Sequence, residues 1–134
     1  MAAAPLYLDS SGLVKLVLPE AESAALRAFL RAWPRRTSSA LAAAEVPRAV
    51  QRATSDPAML GRAAGVLADI VMVAITDDVL RAAARLPPVT LRALDAVHLA
   101  TALSLGNNLG GIVAYDERLA EAARSAGLSV FRPR

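Results

Sequence analysis

The 134-residue sequence contains no cysteine and a single lysine. Without cysteine the chain can form neither disulfides nor cysteine-based metal sites, which fits a cytoplasmic protein. Its longest low-charge stretch, residues 93–105, is shorter than the roughly 20 residues that span a bilayer. The first apolar residues follow no basic leader and are interrupted by Asp9, Lys15 and Glu20, so they do not form a signal peptide. We therefore expect a cytoplasmic protein that does not enter a membrane.

What the sequence does have is 55% hydrophobic residues and a formal net charge of +3. A chain of this length can bury a substantial core, so residues 1–134 are expected to form a single domain. All positive side chains are arginines except Lys15, and the planar guanidinium group suits phosphate. Because a small positive excess is also typical of a solvated surface, composition favours a nucleic-acid ligand only weakly.

Short apolar segments alternate with helical patterns along the chain. Strands are predicted at residues 6–9, 36–38, 70–75, 112–115 and 129–131. Helices are predicted at residues 12–18, 21–32, 40–53, 57–69, 78–85, 91–105 and 117–126. The segment 70–75 has no polar face, which is typical of a strand covered on both sides. The alternation predicts right-handed crossovers and a three-layer α/β/α domain with a mainly parallel central sheet.

Most of the twelve carboxylates have a local explanation. Capping and the helix dipole account for those at predicted helix starts, which are Glu20, Glu22, Asp56, Asp77 and Asp78. Asp69 ends a predicted helix, and Glu117 and Glu121 lie on an exposed helix face near arginines. The acids that remain are Asp9, Glu45, Asp95 and Asp116.

Each of these four acids has an alternative structural explanation that stays open. Asp9 and Asp116 each follow a predicted strand, and ligands bind at the carboxyl ends of the strands in an open parallel sheet. Capping of the next helix explains either residue equally well. Glu45 has Arg48 and Arg52 at i+3 and i+7, so a solvated stripe of ion pairs would explain it.

Asp95 is harder to explain, because its predicted helix is apolar nearly all round and burial is therefore expected. A buried carboxylate is costly unless it is paired or bound to a metal ion. The nearby partners are Arg92 at i−3 and His98 at i+3. We expect His98 itself to be a packed or supporting histidine rather than a ligand.

Together the four acids suggest one negatively charged pocket. Like charges in a pocket raise one another's pKa values, and a hard divalent cation with a preference for oxygen ligands, such as Mg²⁺ or Mn²⁺, relieves the repulsion. Such a site activates water and neutralises charge on a scissile phosphate. The sequence carries neither a Ser-His-Asp triad nor a glycine-rich phosphate loop, and this chemistry needs neither.

The four acids and their flanking residues resemble the PIN-domain ribonucleases, most closely the VapC-type toxins of bacterial toxin–antitoxin modules. The matching segments are LYLDSSGLVKL around Asp9, SSALAAAEVPRA around Glu45, LRALDAVHLATA around Asp95 and VAYDERLAEAAR around Asp116. They occur in the family's order and span nearly the whole chain. A match to one segment alone is weak evidence for the family, whereas a match to all four segments in order is fairly specific.

The resemblance implies a PIN-like domain that cleaves RNA with Mg²⁺ or Mn²⁺ at Asp9, Glu45, Asp95 and Asp116. Asp9, Asp95 and Asp116 would be metal ligands, directly or through water, and Glu45 would orient or deprotonate the attacking water. Ser11 matches a small polar position that supports the site in the family. The resemblance also implies a homodimer and a cognate VapB-like antitoxin that inserts a peptide into the groove leading to the acids.

Two other functions remain as alternatives. A catalytically inactive PIN-like module that binds RNA or protein would keep the fold without the reaction. A receiver-like phosphoacceptor domain would also gather aspartates at strand ends, but it needs a lysine near them, and Lys15 lies in the first predicted helix.

The first two predicted helices suggest where a partner would bind, because they carry more large apolar residues than short surface helices need. We expect about half of the set to pack on the sheet and the rest to line a groove for an amphipathic antitoxin helix. Lys15, Arg27 and Arg31 are expected to flank this groove. The set comprises Leu13, Val14, Leu16, Val17, Leu18, Leu26, Phe29, Leu30 and Trp33.

Overall fold

The structure, a computed structural model, describes residues 3–134, so the first two residues of the expected 1–134 domain lie outside the described part. Its strands are β1 (Leu6–Leu8), β2 (Arg36–Ser39), β3 (Val71–Val73), β4 (Gly111–Val113) and β5 (Val130–Phe131). Its helices are α1 (Ser10–Lys15), α2 (Ser23–Leu30), α3 (Ala42–Ala53), α4 (Pro57–Ala68), α5 (Asp77–Arg85), α6 (Ala93–Ser104) and α7 (Glu117–Ser125). Each strand and helix predicted from the sequence is present, with shifted ends.

The five strands form one sheet in the order β3-β2-β1-β4-β5, and every neighbouring pair is parallel. Leu6 of β1 lies opposite Arg36 of β2 on one side and Gly111 of β4 on the other. The chain thus builds outward from β1 to β3 and then returns to the other side of β1. This return makes the boundary between β1 and β4 a topological switch point, where open α/β sheets bind their ligands.

Helices cover both faces of the sheet, which confirms the predicted three-layer arrangement. Leu6 and Leu8 pack with residues of α1, α2, α3 and α4 in one buried cluster. Tyr7, which points the opposite way because side chains alternate along a strand, packs with residues of α6 and α7 in a second cluster. The helix that follows β1 and the helix that follows β4 therefore lie on opposite faces, leaving a crevice between them.

Strand β3 does not have the environment that the sequence suggested. The run 70–75 was expected to be covered on both sides, but β3 has only three residues, and Val71 is 68% exposed. The prediction of a fully covered strand is wrong because β3 is an edge strand that pairs only with β2. Its apolar, β-branched composition gave no information about its position in the sheet.

Three predicted helix caps also need correction. Thr76, rather than Asp77 or Asp78, caps α5 by accepting a hydrogen bond from the backbone of Val79. Helix α6 starts at Ala93 instead of residue 91, so Thr90 is not its cap. The predicted cap Ser39 is the last residue of β2, and its hydroxyl accepts from the Leu41 backbone just before α3.

The apolar residues predicted on the first two helices all pack on the core. Those that are fully buried are Leu13, Val17, Leu26 and Leu30, and the other five are partly buried against the same cluster. Trp33, for example, packs against Phe29 and Phe131 with ring centroids 6.2 and 5.7 Å apart. A partner groove on this face stays a prediction.

Lys15, which was expected to flank this groove and pair with acids of a partner, is paired within the chain. Its side chain is only 13% exposed, and its Nζ lies 3.1 Å from carboxylate oxygens of both Glu20 and Glu22. The same ammonium lies 4.7 Å from the centroid of the Tyr115 ring. Its charge is therefore neutralised within the chain.

Within residues 3–134, no helix has the length and apolar character needed to cross a membrane.

Candidate active site

One cavity of about 230 Å³ is lined by all four acids that the sequence singled out. Two come from each face of the sheet: Asp9 precedes α1 and Glu45 lies on α3, whereas Asp95 lies on α6 and Asp116 precedes α7. Asp9 follows β1 and Asp116 follows β4, so the cavity opens at the switch point. The remaining residues that line it are Ser10, Ser11, Arg92 and His98.

Asp9 is both a helix cap and a buried acid. Its Oδ1 accepts a hydrogen bond from the Gly12 backbone at 2.9 Å, and the Ser11 hydroxyl lies 2.9 Å from each carboxylate oxygen. The residue is 5% exposed, and this burial raises the pKa of Asp9 although both donors act in the opposite direction. Capping and a place in the acid cavity are therefore compatible.

Asp116 likewise caps the helix that follows it. Its Oδ1 accepts from the Leu119 backbone at 3.0 Å, and the side chain is exposed at the cavity rim. The other carboxylate oxygen makes no hydrogen bond within residues 3–134, so the cap leaves it available to a ligand.

Asp95 lies in the first turn of α6 and is half-buried, less than its apolar helix suggested, and neighbouring Leu94 is 52% exposed. Neither expected partner, Arg92 nor His98, makes a hydrogen bond or ion pair with it in the described part of the chain. Burial raises the pKa of Asp95, and the nearby charge of Asp116 raises it further. Asp95 thus faces the cavity as a carboxylate without a protein donor.

Glu45 is fixed by donors that were not its predicted partners. Its Oε1 accepts from the Ser10 hydroxyl at 2.6 Å and lies 2.7 Å from Nε2 of His98. No ion pair joins it to Arg48 or Arg52 in the described residues, so the solvated stripe is not formed. Burial would raise the pKa of Glu45, but the hydrogen bonds from His98 and Ser10 outweigh it and hold the pKa below its ordinary value.

His98 is 2% exposed, in agreement with the expectation of a packed, supporting histidine. Behind it lies Tyr7, whose hydroxyl is 2.7 Å from His98 Nδ1 and accepts from the Ser39 backbone at 3.0 Å. Sequence reasoning missed Tyr7 and Ser10. One signal for Tyr7 was available, because a tyrosine within a buried strand needs a partner for its hydroxyl.

The acid cavity suits a hard cation in charge and in donor chemistry, since its carboxylates supply the oxygen ligands that Mg²⁺ and Mn²⁺ prefer. Burial raises the pKa values of Asp9 and Asp95, and the negative charge of Asp116 adds to the shift at Asp95. As they stand in residues 3–134, no three acidic or histidine side chains lie close enough together to hold a metal ion. The donors are present, whereas a closed coordination shell is not.

A parallel sheet flanked by helices, with acids at its switch point, is the architecture of a known family. The family model described as PIN domain matches residues 6–125. This match covers all four acids and most of the chain.

Comparison with individual proteins indicates which members of the family this chain resembles. Ribonuclease VapC46 of Mycobacterium tuberculosis is 46% identical over 130 residues, which cover 97% of this chain and 98% of that protein. Ribonuclease VapC35 of the same species is 42% identical, with 96% of each chain covered. The crystal structure of M. tuberculosis VapC20, a sarcin-ricin loop cleaving toxin, aligns with a TM-score of 0.75 at 19% identity and covers 96% of this chain and 99% of that one. The protein belongs to the PIN-domain family as a VapC-type member.

Proposed function

We propose that this protein is a Mg²⁺- or Mn²⁺-dependent endoribonuclease and the toxin of a toxin–antitoxin pair. The observation that carries the proposal is the shared cavity of Asp9, Glu45, Asp95 and Asp116, which lie up to 107 residues apart in the chain. Relatives with more than 40% identity over nearly their full length are named ribonuclease VapC, which supports RNA as the substrate.

Asp9, Asp95 and Asp116 would hold the metal ion. A bound divalent cation activates water and neutralises the charge that develops on a scissile phosphate. Among the three acids, Asp9 has the most hydrogen bonds, which come from the Gly12 backbone and the Ser11 hydroxyl. Asp95 has no protein donor in the described residues, which leaves both of its oxygens available to a ligand.

Glu45 would orient the attacking water. An efficient general base has a pKa near the working pH, whereas the pKa of Glu45 is held below that of an ordinary glutamate. Its carboxylate therefore stays ionised and acts as a hydrogen-bond acceptor for water in the cavity, a role that fits orientation better than proton abstraction.

Arg92 is the one basic side chain other than His98 that lines the described cavity. It is exposed and forms no ion pair within residues 3–134. A guanidinium group at the mouth of an acidic cavity would donate to the phosphate oxygens of RNA and offset their repulsion by the carboxylates.

The proposal extends to an antitoxin partner and to a homodimer. A toxin–antitoxin complex from Klebsiella pneumoniae aligns with a TM-score of 0.70, and VapBC2 from Rickettsia felis, solved with a promoter DNA fragment, aligns with 0.76. These likenesses support a VapB-like antitoxin as partner. Residues 1–134 would act as one PIN-like domain, and two copies would form a homodimer.

The alternative function is a catalytically inactive PIN-like module that binds RNA or protein. One observation favours it: within residues 3–134 no group of three acidic or histidine side chains is arranged to hold a metal ion. Such a module would bind RNA equally well with and without divalent cations and would leave it intact.

The test is cleavage of a mixed RNA substrate by the purified chain with Mg²⁺, with Mn²⁺ and in EDTA. We expect cleavage only with metal, and loss of cleavage in Asp95→Asn. The matched control is Asp77→Asn, which neutralises an exposed acid in the first turn of α5. Full cleavage in EDTA, or by Asp95→Asn, would reject the proposed mechanism. Binding without any cleavage would favour the alternative.

A further inference from the structure

A chain of hydrogen bonds runs from the sheet to Glu45 through the only histidine of the protein. The Tyr7 hydroxyl lies 2.7 Å from Nδ1 of His98, and Nε2 of the same ring lies 2.7 Å from Oε1 of Glu45. Tyr7 is fully buried, and the two rings meet edge to face with centroids 5.9 Å apart. The three side chains come from β1, α6 and α3, so the chain of bonds links both helical layers through the sheet.

The donors along this chain are fixed by the groups at its ends. Nε2 faces an ionised carboxylate, so it must carry a hydrogen, since a lone pair at 2.7 Å would be repelled. At the other end, the Ser39 backbone N–H already donates to the Tyr7 oxygen. A Tyr7 hydroxyl that donates to Nδ1, 2.7 Å away, leaves the single imidazole hydrogen on Nε2, facing Glu45.

As a consequence, the two carboxylate oxygens of Glu45 differ in their hydrogen bonding. Oε1 accepts from both His98 Nε2 and the Ser10 hydroxyl, whereas Oε2 makes no hydrogen bond within residues 3–134. The ring is 2% exposed and held on both nitrogens, so it cannot turn away. Fixing one oxygen directs the other toward the cavity that Glu45 lines.

We propose that His98, with its tautomer set by Tyr7, is a positioning residue that holds Oε1 of Glu45 so that Oε2 receives the attacking water. This inference rests on the proposed ribonuclease function for its catalytic consequence. Its structural content, the tautomer and the His98–Glu45 bond, is independent of activity and can be measured separately.

The structural test is ¹⁵N NMR of the imidazole ring in the full chain without metal, where the single histidine makes assignment unambiguous. We expect the signature of a protonated Nε2 and an unprotonated Nδ1. Tyr7→Phe should give a mixture of tautomers, and Glu45→Gln should move the Nε2–H proton resonance. The control is Tyr115→Phe, which removes the other tyrosine hydroxyl, bonded to the Pro133 carbonyl, and should leave the imidazole signature unchanged. A hydrogen on Nδ1 in the wild type would overturn the proposal. So would an Nε2–H proton resonance that does not shift in Glu45→Gln.

The functional test compares His98→Leu with His98→Gln in RNA cleavage. Removing a group that orients a metal-site carboxylate typically costs 10–100-fold in activity, so we expect a fall of about that size in kcat with KM for RNA little changed. His98→Gln retains an N–H donor and should recover most of the loss. Equal kcat in the wild type and His98→Leu would refute the positioning role. If the wild type itself does not cleave RNA, the proposed function fails, while the imidazole signature still decides whether His98 holds Glu45.

Discussion

The hydroxyl of Ser11 lies 2.9 Å from both carboxylate oxygens of Asp9. One of these oxygens also accepts a hydrogen bond from the Gly12 backbone N–H in the first turn of α1. Asp9 therefore has two separable properties: an oxygen that caps a helix, and a negative charge whose burial raises the pKa of the carboxyl group. Substitutions that remove one property and keep the other distinguish folding from chemistry at this position.

Asp9→Asn keeps a cap oxygen and removes the charge. In EDTA at pH 7 we expect its free energy of unfolding to equal or exceed that of the wild type, because an unpaired buried charge is lost. Asp9→Ala also loses the cap, so it should be about 1 kcal/mol less stable than Asp9→Asn. Urea denaturation of both variants checks this. An Asn variant as unstable as the Ala variant would contradict it.

The pH dependence of stability should reveal the charge on Asp95. Burial, and then Asp116, raise the pKa of Asp95 in the folded state, so its stabilising contribution is complete below the ordinary value of about 4 and is lost as the pH rises through the raised pKa. Without metal, Asp95→Asn should therefore gain stability relative to the wild type between pH 4 and pH 7. Thermal denaturation of the pair measures the difference, and a difference that is constant with pH would disprove the assignment.

Divalent cations should stabilise the folded chain through the same acids. A metal that binds the folded state but not the unfolded state raises the melting temperature, and the stabilisation grows with the logarithm of the metal concentration divided by Kd. We expect Mn²⁺ to raise Tm at pH 7, to raise it less near pH 4, and to have little effect on Asp95→Asn. Differential scanning calorimetry with and without Mn²⁺ provides the measurement. An equal increase in the variant would locate the bound metal elsewhere.

Arg92 should contribute to RNA affinity more than to the chemical step. Arg92→Ala is expected to raise KM and to lower the slope of log affinity against log salt by about 1, as loss of one phosphate contact does. Arg62→Ala, at an exposed position on α4 outside the acid cavity, is the matched control. Fluorescence anisotropy with labelled RNA at several salt concentrations measures both. Equal slopes for the two variants would show that Arg92 does not contact an RNA phosphate.

Gly110 should tolerate no side chain, because a Cβ there would enter the van der Waals space of the Trp33 ring. Gly110→Ala is expected to cost about 1–3 kcal/mol through overpacking. Gly65→Ala is the control: it lies within α4 with nothing near its Cβ position, and it should add up to about 1 kcal/mol through helix propensity. Chemical denaturation that ranked the two variants equally would argue against the close Trp33 contact.

Much of this fold could be predicted because the relevant signals are local. Alternating apolar segments locate the strands and helices, and Asp9 and Asp116 stand out because they follow strands. The position of β3 could not be predicted, since an apolar run looks the same in the centre of a sheet and at its edge. The Tyr7–His98 contact joins residues 91 positions apart, and only the packing of α6 on the sheet brings them together. Helix ends were misplaced where the competing caps were neighbours, as with Thr76 and Asp77.

The order of the strands has a consequence for protein synthesis. Strand β1 leaves the ribosome first, yet one of its two neighbours, β4, is made only after residue 110. Until β4 emerges and pairs with β1, a nascent chain carries Asp9, Glu45 and Asp95 without Asp116 beside them. The proposed ribonuclease site therefore forms only after β4 has been made and has paired with β1.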